Sequence, residues 1–243
     1  MTDFPLLVLA IIFVSAFIRS AVGFGDALRA MPLLTMSVGL QTATPLVALL
    51  GLTMAAAILL SGWRKVEFGS AWPLILGSCL GIPLGLWVLH YAPGEPVKLV
   101  LGVLLLAYGS IGLSRRPLPP IHSDRPALAF GFLAGVLGAA YNTNGPPVVI
   151  YGTQRGWSPA HFRSTLQSYF LCTNLLIVAG HGLSGLWTQR VLTGYVQLLP
   201  VLVLGIWMGS LVNRWLPVAI FRQAVFALLI LVGAMLIWNT LAA

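Results

Sequence analysis

The chain has 243 residues, 58% of them apolar and only 7% charged. Soluble domains carry about 25% charged residues, so this composition excludes a water-soluble enzyme, a secreted disulfide scaffold and a disordered chain. The net charge of +8 would point to nucleic acid in a soluble protein, but here the bases stand singly or in pairs between apolar runs. The lipid bilayer is therefore the expected partner, and nucleic acid is not.

At roughly 20 apolar residues per crossing, the chain holds about 8–10 membrane segments and little else. The apolar runs are 4–22, 31–38 with 44–60, 70–91, 97–113, 127–140, 147–151 with 162–179, 191–212 and 218–238. The first run lacks the basic flank of a cleavable leader and reads as retained. Between the fourth and fifth lies SRRPLPPIHSDRP (114–126), Pro-rich and unable to continue a helix. The expected architecture is an all-α polytopic membrane protein in two homologous halves, 1–113 and 127–243, joined by a cytoplasmic linker.

The halves show a repeat. Trp63, Gly81, Gly85 and Pro93 fall on Trp187, Gly205, Gly209 and Pro217 at one common spacing. Phe17, Gly23 and Pro32 fall on Phe132, Gly138 and Pro147 at another. Repeated halves are a transporter signature. Arg64 and Lys65, and the linker arginines, mark cytoplasmic loops. In the second half the basic bias swaps sides, which favours inverted halves with both termini outside; four crossings per half would instead give parallel halves.

Two apolar runs are broken by Gly and polar residues and restart at Pro: RSAVGFGDALRAMP (19–32) and GAAYNTNGPP (138–147). Unwound backbone at membrane depth survives only where protein buries it or where it lines a wet cavity. Helices that restart there offer a positive dipole end to an anion. Around the first break, Arg19 and Arg29 are candidate anion ligands, and Asp26 is a candidate proton acceptor or orienting partner beside Gly25. Around the second, Asn142 and Asn144 are candidate amide donors between Tyr141 and Gly145. Arg163, Gln167, Phe170 and Asn174 share one face at helical spacing, with Gln41 and Thr44 as first-half counterparts. The alternatives are an Asp26–Arg29 ion pair with a purely structural role, and asparagines that only satisfy loop backbone.

Gly77, Gly81 and Gly85, like Gly205 and Gly209, recur every fourth residue and form faces for close helix packing, a homodimer interface being the alternative. Cys79 and Cys172 lie in apolar runs and read as packing residues. The four histidines share no metal spacing, and no HExxH, GxSxG or P-loop pattern occurs. An enzyme, a metal and a cofactor are accordingly not expected.

The stretch NTNGPPVVIYGTQRGWSPAHFRSTLQSYF (142–170) resembles the TauE/SafE family of sulfite exporters. That family pairs a Gly-rich break and a Pro with a downstream Phe-Arg-x-Thr, here Phe162, Arg163, Ser164 and Thr165. GFGDALRAMPLL (23–34) looks like its N-terminal counterpart, with Asp26 and Arg29 standing where many members carry glycines. The resemblance implies a multi-pass secondary transporter of the bacterial inner membrane for small sulfur-containing anions such as sulfite or organosulfonates. The expected mechanism is alternating access, with the anion held between the two breaks and H+ or Na+ as coupling ion. The competing readings are a passive anion channel and a structural or cofactor-bearing membrane subunit.

Overall fold

In lipid every backbone N–H and C=O must be bonded within its own segment, so uninterrupted apolar runs become helices. The computed structural model describes residues 6–22, 26–62, 68–91, 94–113, 120–213 and 218–241. Among these residues there are ten α-helices and no strand: α1 (Leu6–Val22), α2 (Asp26–Val38), α3 (Leu40–Gly62), α4 (Phe68–Tyr91), α5 (Gly94–Leu113), α6 (Arg125–Tyr141), α7 (Gly145–Gln154), α8 (Pro159–Leu183), α9 (Gln189–Asn213) and α10 (Val218–Leu241). Leu40–Ala57, Gly69–Tyr91 and Gln189–Val212 are long and apolar enough to cross a membrane. At 13 and 10 residues, α2 and α7 are too short to do so.

Large apolar side chains face outward. Leu80, Trp87, Val203, Trp207 and Leu231 are all more than half exposed, a surface suited to lipid and costly in water. The exposed aromatics Trp72 and Tyr91 mark the two ends of α4. About 28 Å of helix separates them, close to the ~30 Å hydrocarbon thickness and fitting anchors at the two interfaces.

The glycine faces are used within the chain. Gly77, Gly81 and Gly85 of α4 lie against the backbone of Leu128, Phe132 and Val136 of α6, so the two helices run parallel in register. Gly205 and Gly209 of α9 meet Phe13 and Phe17 of α1 in the same parallel sense. By contrast α5 and α10 are antiparallel, since Gly102 meets Gly233 and Ile237 while Gly109 meets Phe226 and Ile230. A Cβ at Gly81 or Gly209 would run into a carbonyl oxygen of the facing helix. These faces are therefore packing surfaces, as the spacing suggests, and are not available to a second copy.

The helices α6 and α7 form a hairpin that returns to the side it left. Arg155, just past α7, pairs with Asp124, just before α6 (Nη2 to Oδ1 2.9 Å), and donates from Nη1 to the Ile121 carbonyl (3.2 Å). The Tyr151 hydroxyl donates to Asp124 Oδ1 (3.2 Å), and the Ile121 N–H donates to the Gln154 carbonyl (3.1 Å). The end of the linker is thus fastened to the end of α7, and the hairpin tip, 142–144, points into the protein. In the first half, α2 passes into α3 through Gly39 alone, at φ +80°, a left-handed turn that a side chain resists. The turn falls at the start of the gap that the sequence leaves between the apolar runs 31–38 and 44–60.

Candidate functional site

The tip of the α6–α7 hairpin is built from its own sequence. Asn142 takes the left-handed conformation (φ 54°) that ends α6, and its N–H closes on the Gly138 carbonyl at 2.8 Å. The Thr143 N–H follows, donating to the Leu137 carbonyl at 3.2 Å. Gly145, Pro146 and Pro147 then restart the chain as α7, proline being favoured in a first helical turn. The two prolines also remove two backbone donors, so this helix terminus offers an anion its dipole more than its N–H groups.

A cavity lies against this tip. Residues 142–146 form one wall, Val47 and Gly51 of α3 another, and Phe170 and Asn174 of α8 a third. Arg19 and Ala27, from either side of the first break, complete the lining. The cavity therefore lies between the two broken segments. The cavity volume is about 20 Å³, too small for a nucleotide or a lipid. Arg19 is 3% exposed, and its guanidinium carbon stands 4.9 Å from the ring centre of Phe170. A buried arginine at membrane depth is costly unless it serves a polar ligand or pathway.

Of the residues singled out from sequence, Arg19, Asn142, Asn144, Gly145, Phe170 and Asn174 line this cavity. Tyr141 is buried next to the tip, and its hydroxyl has no partner among the described residues; the same is true of the Thr44 hydroxyl. Gln167 is buried on α8 away from the lining, and Gln41 is exposed at the start of α3. Gly25 lies outside the described residues, as do the side chains of Asp26, Arg29 and Arg163.

Hydrogen counting changes the part played by the two asparagines. An amide nitrogen has two protons to give. Asn144 Nδ2 gives to Thr173 Oγ1 (3.3 Å) and Asn174 Oδ1 (3.0 Å), so its donors are used in pinning the tip to α8. Asn142 Nδ2 donates to the Thr44 carbonyl, pinning the tip to α3 and leaving one proton. Asn144 is thus a fastener rather than the amide donor expected. The amide nitrogen of Asn174 has no partner among the described residues and becomes the donor candidate on the cavity wall. Its place on the polar stripe was legible, but its role was not. Thr143, Val47 and Gly51 line the cavity without any signal in the sequence.

The protein-family model described as "Sulfite exporter TauE/SafE" matches residues 7–236. A curated relative from Cupriavidus necator, described as a probable sulfite/organosulfonate exporter TauE, is 23% identical over 248 residues. That alignment covers 98% of this chain and 96% of the relative. No solved structure matches the chain. With the family's model running through both broken segments, the linker and the cavity between them, the chain belongs to the TauE/SafE sulfite exporter family.

Proposed function

We propose that this protein is a multi-pass secondary transporter of the inner membrane that carries a small sulfur-containing oxyanion, sulfite or a compact organosulfonate, by alternating access. The family is one of membrane exporters, not of enzymes. The observation that carries the reading is the cavity between the two breaks. It brings a buried arginine, an amide donor and the dipole end of α7 to one small space. Arg19 and Asn174 hold the anion, while Asn142 and Asn144 hold the tip that shapes the site.

The helix pairs support two inverted halves. Exchanging α1 with α6 and α4 with α9 turns the α4–α6 contact into the α9–α1 contact, and both are parallel glycine-mediated pairs. Exchanging α5 with α10, or α3 with α8, returns each of those pairs to itself. With α6–α7 as a returning hairpin, the antiparallel α5–α10 pair supports a second half that runs opposite to the first. The moving bodies would then not be the two sequence halves. Each hairpin rides with a helix of the other half, α6–α7 on α4 and α1–α2 on α9, and the rocking motion occurs between these mixed bodies. A reporter placed within 114–119 is expected to read cytoplasmic, and reporters at either end of the chain periplasmic. Termini on opposite sides of the membrane would rule out the inverted arrangement.

Ligand that binds only the folded state raises its melting temperature. The test is therefore thermal stabilisation of the detergent-solubilised protein by sulfite, sulfate, thiosulfate, sulfoacetate, acetate and chloride. A rise confined to sulfur oxyanions, and lost in Asn174→Asp, is expected. That substitution keeps the side-chain shape and places a negative charge on the cavity wall. No rise with any anion would remove the anion reading.

A further inference from the structure

We infer that Phe170 is a positioning residue for the transported anion, acting through Arg19, an inference that rests on the anion reading above. Arg19 comes from α1 and Phe170 from α8, so their contact, 4.9 Å from guanidinium carbon to ring centre, joins the two halves across the cavity both of them line. Both side chains are 3% exposed, so water does little to weaken the attraction between the cation and the negative ring face. An aromatic face stacks on the planar guanidinium and so fixes its orientation at the cavity wall.

The ring is itself held firmly. Phe170 packs edge-on against Tyr169, with centroids 5.7 Å apart and planes at 64°. The Tyr169 hydroxyl is 2.7 Å from Ser78 Oγ on α4, which donates to the Gly131 carbonyl on α6 (2.8 Å). Phe170 is thus tied through α8 and α4 to the hairpin helix that carries the tip. The contact is therefore placed to aim the anion ligand.

The experiment is sulfite transport by the full chain in proteoliposomes, with KM and Vmax measured for wild type, Phe170→Leu, Phe170→Met and Phe170→Tyr. Leu and Met keep an apolar side chain of similar bulk without the ring face, and Tyr keeps the face. The expected result is a KM raised roughly tenfold in Leu and Met, the order of a desolvated cation–π contact, with Vmax within about twofold and Tyr close to wild type. Equal impairment in all three variants would mean simple packing and overturn the inference, as would an unchanged KM in Leu or Met. If the wild type itself moves neither sulfite nor, in the same assay, sulfoacetate, the transport reading fails and this inference with it; that result is distinct from active transport indifferent to residue 170. Should Leu fold poorly, Met carries the comparison, judged by its melting profile.

Discussion

Replacing Arg19 by glutamine is expected to abolish saturable sulfite transport, lowering Vmax/KM at least ~100-fold. The figure follows from about 3 kcal/mol for charge-assisted hydrogen bonds to an anion in a desolvated site, at 1.4 kcal/mol per factor of ten. Arg19 is the buried cation whose side chain the structure places on the cavity, and glutamine keeps polarity and much of the length while removing the charge. Arg19→Lys separates charge from shape. It restores a point charge but not the planar fork that can grip two oxyanion oxygens at once, so an intermediate loss of about tenfold is expected, on the scale of one charge-assisted hydrogen bond. The check is initial-rate transport in proteoliposomes, with a melting profile of each variant to show that it folds. Wild-type KM in Arg19→Gln would remove Arg19 from the site and leave Asn174 to be tested alone.

The broken segments were legible because an apolar chain makes them conspicuous. Gly, Asn and Pro between Gly138 and Pro147 interrupt a run that has no other reason to stop, and the structure sets a helix end, a left-handed Asn142 and a new helix there. The glycine spacing in α4 and α9 was legible for the same reason. Only a requirement for close approach recommends glycine at every fourth position, given its cost in a helix interior. Its partners were not legible. Whether Gly81 meets another copy, its own half or the opposite half depends on long-range docking, and the answer, Phe132 of the opposite half, appears only in three dimensions.

The site residues divide on similar lines. The stripe on α8 could be read because Phe170 and Asn174 continue the helical spacing of Arg163 and Gln167, and both reach the cavity. Gln41 was misleading: with Gly39 turning the chain, it lands in the first turn of α3 on an exposed surface. The exchange of parts between Asn144 and Asn174 was beyond any sequence reading. The two residues have the same side chain, and only counting protons against acceptors shows which one is occupied. Composition names the groups available for an anion, whereas hydrogen-bond geometry decides which of them are already in use.

The same geometry makes α4–α6 the contact where a single methyl group should matter most. Gly81→Ala is expected to collapse the yield of monodisperse protein and to lower its melting temperature steeply, whereas Gly69→Ala in the same helix should leave both unchanged or slightly improved. At Gly69 nothing lies within 4 Å of an added Cβ, so alanine brings only its better helix propensity, about 0.5–1 kcal/mol. At Gly81 the added carbon would overlap the Phe132 carbonyl oxygen and lie 2.9 Å from the Val136 nitrogen. A side chain that clashes with another side chain can rotate away, at a typical overpacking cost of about 1–3 kcal/mol. Backbone cannot, so the helices must separate along the whole contact from Leu128 to Val136. Association in lipid has no hydrophobic drive to offset that loss, because lipid tails are as apolar as the surfaces they would cover. The measurement is size-exclusion profile and melting temperature of the two variants beside wild type. Equal behaviour of Gly81→Ala and Gly69→Ala would show that α4 and α6 are not packed backbone to backbone, and the hairpin tip would then lose the support that places it at the cavity.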